Sequence, residues 1–224
     1  MTGKRAIHGN PDRGYLTSIA EIRRRLAGYR PHLASGDRAR AAVAMVLHQR
    51  EESVHLLFIE RSQRDDDPWS GHVAFPGGRV EPGDGNARMA AERETREEVG
   101  LDLGKAEYLG RLDDVTGATL PILVSGFVYN VETRDQLHPN YEVKAAFWVQ
   151  LNVLADAGRH RERSFRIDNA DRRFSTIDLP GSRERVLWGI SYRLVSQLLA
   201  LLGHPFRSSR PAPAAGRTKP GAEG

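Results

Sequence analysis

The sequence predicts an α/β layered fold, built as one domain over residues 17–203. Three observations predict it. The chain has 224 residues, enough for one domain of roughly 150 with additions at its ends. Apolar runs of strand length flank a central stretch whose small and charged residues recur at helical spacing. A second helical pattern, apolar and near the end, closes the run of candidate elements. Strands on both sides of one helix, with another helix after them, call for layers packed around a sheet.

Taken in order, Thr17 or Ser18 caps a first helix through about Gly28, with Ile19, Ile22 and Leu26 on one stripe. Pro31 follows it. Ala41–Leu47 and Val54–Ile59 are apolar runs, and the polar His48–Ser53 between them makes a hairpin. After a loop and the run Val73-Ala74-Phe75-Pro76-Gly77-Gly78, Asn86 caps a helix that ends at Gly100. Tyr108–Leu112, Ile122–Val131 and Ala145–Val149 read as strands, Phe165–Phe174 as a further hairpin, and Val186–Leu202 as the closing helix. Residues 1–16 and 204–224 lack any apolar period and are expected to be flexible.

Composition narrows the function. Cysteine is absent, which excludes thiolate metal sites and Cys nucleophiles. No run approaches the roughly 20 apolar residues of a membrane span, and no apolar stretch follows the basic start as in a signal peptide. The expected location is cytoplasmic. The net charge is +4, but residues 204–224 hold four basic residues against one acidic, leaving about +1 for the rest. That balance argues against nucleic acid as a partner.

The chemistry concentrates in Gly77–Leu101. On a helix, with Glu94 at zero, Glu97 falls at about −60° and Glu98 at about +40°. Ala87, Ala90 and Ala91 continue the same stripe toward the N-terminus. Small residues permit close packing, so the stripe faces protein and brings three carboxylates with it. Like charges gathered there repel unless a cation sits among them, and hard oxygen ligands suit Mg²⁺ or Mn²⁺. The plainer reading is a solvated acidic face paired to Arg88, Arg93 and Arg96. Phe75-Pro76-Gly77-Gly78 places bare backbone beside the helix entry, where it can approach an anionic ligand or offer a carbonyl to a metal.

This stretch resembles the Nudix box, the motif of hydrolases of nucleoside diphosphates linked to another moiety. Gly78 is followed six positions on by Asp84 and then by Arg93-Glu94-Thr95-Arg96-Glu97-Glu98-Val99-Gly100-Leu101. Asp replaces the usual Glu, eight residues rather than seven precede Arg93, and Thr95 replaces an aliphatic residue. The Asp and the extra residue are similar to the coenzyme A diphosphatase branch. So are Leu56–Ser62, Gly71–Gly78, Asn140–Val143, Ala146–Val149 and Leu187–Arg193. The branch's Leu-Arg pair and His are missing, and Gln63–Ser70 with Asp65, Asp66 and Asp67 stands in their place. If those acids faced the site they would repel a 3′-phosphate; a solvated loop is the preferred reading.

The resemblance implies a Nudix-type α/β/α sandwich with a mixed β-sheet and a catalytic loop-helix-loop. It implies Mg²⁺- or Mn²⁺-dependent cleavage of a diphosphate, with coenzyme A or its thioesters as leading substrate. Glu94, Glu97 and Glu98, with the Gly77 carbonyl, would be the metal ligands, and Glu94 or Glu98 a base. Arg93 would orient a glutamate, Asp84 would support the loop, and Glu142 would be an outlying ligand or base or else an exposed loop acid. Arg61, Phe75, Gly77 and Gly78 are the candidate substrate contacts, while Trp69, Phe75 and Trp148 could each stack on a base or belong to the core. The partner is a small-molecule nucleotide, with neither nucleic acid nor membrane, and a homodimer stays open. The competing reading is a catalytically silent ligand sensor on the same fold. Retention of all three glutamates speaks against it.

Overall fold

The computed structural model describes residues 17–36, 38–63, 71–117, 121–134, 136–167, 170–182 and 185–206. Helix α1 (Ile19–Ala27) precedes strands β1 (Ala39–Arg50), β2 (Ser53–Arg61), β3 (Val73–Ala74) and β4 (Gly77–Arg79). Helix α2 (Ala87–Val99) leads to β5 (Glu107–Arg111), β6 (Val115–Thr116), β7 (Ile122–Asn130) and β8 (Val143–Gln150). A short α3 (Leu151–Ala155), β9 (His160–Ile167), β10 (Ala170–Asp178), β11 (Val186–Leu187) and α4 (Gly189–Leu201) complete the order. The Asp65–Asp67 run, Trp69 and both expected flexible ends up to residue 16 and from residue 207 lie outside the described residues.

Eight of these strands form one mixed sheet. β1 lies at its centre, antiparallel to β2 and β4 and parallel to β7. β1 is buried on both faces, and its period of two sorts the layers. Ala42, Ala44 and Val46 pack with Ala90, Ala91 and Val99 of α2. Met45 and Leu47 pack on the other side with Ile22 and Leu26 of α1 and Leu194 and Leu198 of α4. The result is an α/β/α sandwich. Small side chains on both partners let α2 lie close to the sheet, as the alanine stripe predicts. A separate sheet of β9, β10 and β11 stands beside the main one.

Most long elements form where the sequence places them. Ser18 rather than Thr17 caps α1, its hydroxyl accepting the Glu21 N–H. The closing helix starts later than expected. Val186 and Leu187 are a strand, paired to Asp178 and Ile177. Trp188 is extended and Gly189 has φ +62°, so the chain turns there before α4 begins. The C-terminal boundary also moves, because Phe206 packs against the core with its ring centroid 4.0 Å from that of His160. β3, β4, β6 and α3 are too short to show a period and escape sequence reading.

Gly126 on β7 fixes the distance of α4 from the sheet: a Cβ there would stand 2.8 Å from Leu194 Cδ2. Gly126→Val is expected to destabilise the protein by about 1–3 kcal/mol, as overpacking does in well-filled cores. Chemical denaturation checks it.

Candidate active site

The site starts with two glycines. Gly77 has φ +149°, and a Cβ there would lie 2.2 Å from the Ala42 carbonyl oxygen and 2.6 Å from Val43 Cα. A Cβ on Gly78 would lie 2.4 Å from the Glu94 carboxyl carbon. Bare backbone at both positions lets β4 pair with β1 while the head of Glu94 rests against the strand. The Gly77 N–H then donates to Glu98 Oε2 at 2.9 Å. At the helix entry, Asn86 Oδ1 accepts the N–H groups of Arg88 and Met89, and Gly100 ends α2 in the left-handed conformation.

Arg93 is the clamp of the loop. Its Nε and Nη2 bind the two oxygens of Asp84 at 3.0 and 3.1 Å, and Nη2 also reaches the Arg79 carbonyl at 3.2 Å. Nη1 holds Glu94 at 3.0 Å and Glu97 at 3.2 Å. Asp84 also accepts the Glu81 N–H at 2.8 Å. The Arg93 guanidinium, then that N–H, hold the Asp84 carboxyl below its usual range. Asp84 thus closes the loop onto the helix.

The three glutamates of the box do not share one environment. The Glu98 side chain is 2% exposed, Glu94 is largely buried, and Glu97 is 53% exposed. Burial pushes Glu98 up to about 8, against the Gly77 N–H and the Arg61 guanidinium 3.7 Å away; neighbouring Glu94 and Glu142 push the same way as burial. Glu94 is raised by burial, opposed by Arg93, with Glu97 and Glu142 adding repulsion. Glu142, on the loop before β8, therefore belongs to the acidic cluster. Its N–H donates to Asn140 Oδ1 at 2.9 Å and its carbonyl accepts the Ser62 N–H at 2.8 Å.

A cavity of about 860 Å³ opens beside this cluster. Arg61, Gly77, Gly78, Glu94, Glu98 and Glu142 line one part. Glu97 is not among the lining residues. Across from them the wall comes from later in the chain, with Phe174, Trp188, Ile190 and Arg193. The Trp188 ring stacks on Phe165 at 4.1 Å and meets His72 edge-on at 4.8 Å. Sequence reading singled out neither Phe174 nor His72 and took Trp188 as part of a helix; the nearest signal was the Leu187–Arg193 segment. Phe75 is corrected as a base-stacking candidate. It edges the cavity, but the residue is 2% exposed and its ring stacks on Phe58 at 4.8 Å in the core. Trp148 packs against His48 and under Arg134, away from the cavity lining.

The donor set suits a hard divalent cation. Glu94, Glu98 and Glu142 offer oxygen only, and their mutual repulsion is what a bound cation would remove. Among the described residues, no three acidic or histidine side chains stand as a ready metal cage. Arg93 and Arg61 supply the positive charge beside Glu94, Glu97 and Glu98 instead.

A family model for the NUDIX domain matches residues 38–168, from β1 through β9. The chain belongs to the NUDIX family. Its relatives include an uncharacterized Schizosaccharomyces pombe protein, 41% identical over 45% of this chain and 33% of that one. Caenorhabditis elegans Nudix hydrolase 3 is 29% identical over 68% of this chain and 65% of its own. Human mitochondrial coenzyme A diphosphatase NUDT8 is 30% identical over 93% of this chain and 88% of its own. This NUDIX chain thus spans between a third and two thirds of the first two of these relatives. The NUDIX match ends before β10, β11 and α4, so the far wall of the cavity lies outside it.

Glu98 gives a test with a defined sign. A carboxyl raised to about 8 when folded and near 4.5 when unfolded costs stability as pH rises between those values, because the folded state retains the proton. In metal-free protein the Tm is expected to fall from pH 5 to pH 8. Glu98→Gln, which keeps an acceptor for Gly77, should flatten that slope and raise the Tm at pH 8. Calorimetry in EDTA checks it, and an unchanged slope contradicts it. Gly78→Ala, which drives a methyl into the Glu94 carboxylate, is expected to lower the Tm of the same metal-free protein.

Proposed function

We propose that this chain is a divalent-cation-dependent hydrolase of the diphosphate bond in a nucleoside diphosphate derivative. We propose further that its substrate is coenzyme A or a coenzyme A thioester, giving 3′,5′-ADP and 4′-phosphopantetheine. One observation carries the reading: two segments remote in sequence, one giving Phe75, Gly77 and Gly78 and the other Trp188–Arg193, line one cavity with Glu94, Glu98 and Glu142. Both segments belong to the stretches that resemble the coenzyme A branch. The name of the human relative supports the same substrate, while other relatives carry only the name Nudix hydrolase.

Glu94 and Glu98, with the Gly77 carbonyl, would hold Mg²⁺ or Mn²⁺, and Glu97, exposed beside Arg93 and off the cavity lining, would have to turn from Arg93 to join them. The bound ion would neutralise the diphosphate and acidify the attacking water. The chain's own residues do the positioning. Asp84 fixes Arg93, Arg93 fixes Glu94, and the Gly77 N–H fixes Glu98. A carboxylate of this cluster takes the proton of the water, and Glu142 brings one from a separate element. Arg61, beside Glu98, meets the phosphates. The apolar wall excludes bulk water from the other end of the substrate.

Among the described residues no helix is long and apolar enough to cross a membrane. A cytoplasmic location is part of this proposal; the human relative's name places that protein in mitochondria. A panel of diphosphates assayed with Mg²⁺ and with Mn²⁺ tests the reading. Coenzyme A is expected to exceed ADP-ribose, NADH and diadenosine polyphosphates in kcat/KM. Excess EDTA should abolish turnover, and Glu98→Gln should lower kcat by about two decades or more. A better rate with ADP-ribose or a dinucleotide sinks the coenzyme A assignment and leaves diphosphate hydrolysis standing. Undiminished turnover in EDTA removes the metal from the reaction.

A further inference from the structure

Four arginines line the cavity, and their charges are not equally balanced. Arg61 faces Glu98 at 3.7 Å, and Arg173 binds Glu162 at 2.5 Å. Among the described residues, Arg79 and Arg193 have no carboxylate within salt-bridge distance. Arg79 follows Gly78 directly and sits at the acidic end, where its carbonyl receives Arg93. Arg193 lies elsewhere. It projects from the first turns of α4, and its Nη1 donates to the Thr116 carbonyl of β6 at 2.6 Å. The strand path from β4 to β6 runs through β1 and β7. Three strand spacings put β6 roughly 14 Å from the glycine strand, beyond the span of one diphosphate held at Gly78.

The Thr116 bond uses one of the five N–H donors of the guanidinium and sets its direction. Arg193 is exposed at its cavity side, and the protein on its other side, with no balancing acid among the described residues, pulls it below the ordinary arginine value by partial desolvation. The same cavity is lined by Ile190, packed with Ile122 and Val124, and by Trp188, surfaces for an apolar or planar group. A cation of fixed direction at the far end of such a basin matches an anionic substituent carried beyond the reacting bond.

We propose that Arg193 is a specificity-determining residue that binds a phosphate monoester on the substrate, outside the scissile diphosphate. The proposal deepens the diphosphate-hydrolase reading and rests on it for the orientation of the substrate. It predicts a preference for coenzyme A, which carries a 3′-phosphate, over its dephospho form.

Two measurements on the full chain test it. In the first, kcat/KM is compared for coenzyme A and dephospho-coenzyme A with wild type, Arg193→Gln and Arg193→Lys. Wild type is expected to favour coenzyme A by about tenfold or more, the scale of one charge-assisted bond. Arg193→Gln should collapse that ratio through the KM for coenzyme A, with Arg193→Lys between the two. An equal loss on both substrates, or an unchanged ratio, overturns the proposal. The second needs no turnover: calorimetric binding of 3′,5′-ADP and 5′-AMP to metal-free protein. Wild type should prefer 3′,5′-ADP by about tenfold, and Arg193→Gln should bind the two alike. Equal affinities in wild type overturn the proposal. Because Arg193 is exposed and its hydrogen bond among the described residues goes to a carbonyl, Arg193→Gln should keep the wild-type Tm. Failure to hydrolyse any diphosphate would instead reject the broader reading, and the binding arm still decides the role of Arg193.

Discussion

The close approach of backbone at Gly77 and Gly78 is the constraint on which the site depends. β4 lies between β1 and α2 with no room for a side chain on either glycine. Its two neighbours would be pushed in different directions by a Cβ: the Ala42 carbonyl of the central strand by one, the Glu94 carboxylate by the other. The same backbone supplies the N–H that holds Glu98. Strand pairing, helix placement and carboxylate orientation are therefore one packing problem. The alanines of β1 and α2 solve its other half by bringing the helix close enough for its glutamates to reach the strand.

That closeness sets the electrostatics. Burial raises Glu98 and Glu94, and the neighbouring acids raise them further. A fold selected for stability alone would not gather Glu94, Glu98 and Glu142 at the edge of its core. Arg93 and Arg61 relieve part of the repulsion, but Arg93 is itself committed to Asp84. The cluster keeps an affinity for positive charge that is built into the packing. Strain of this kind at a cavity, within a fold that elsewhere follows local preference, is the pattern expected of a functional site.

The cavity divides along the chain. Its acidic part is made by residues inside the stretch matched by the NUDIX model, and Phe174, Trp188, Ile190 and Arg193 of its wall come after it. The first part falls within the stretch the family shares, whereas the second would, in the proposed reading, meet the rest of the substrate. Glu97 shows why the box is not one unit in space. Its side chain faces Arg93 and solvent while Glu98, one residue on, is buried. A stripe about 100° wide is broad enough for its two edges to meet different surroundings.

The sequence by itself determined the elements with a period and the residues with a local mechanism. α1 with its Ser18 cap and α2 between Asn86 and Gly100 are set by contacts within a few residues, and the long strands β1, β2 and β7 show in their apolar runs. Apolar alternation and helix capping act at short range, so they can be read without the fold. The resemblance implied Asp84 as a support of the loop and Arg93 as an orienter of a glutamate, and the bond between the two came only with the structure. Only the tertiary structure decided the rest. β3, β4, β6 and β11 are two or three residues long, and they are strands because neighbours supply their hydrogen bonds. Phe75 went to the core because Phe58 stands opposite it, and Glu142 joined the acids because Asn140 and Ser62 hold its backbone. Trp188 and Arg193 reached the cavity through the fold of β11 and α4 against the sheet. Burial and long-range pairing are properties of the packed layers, and the spacing of residues along a chain does not contain them.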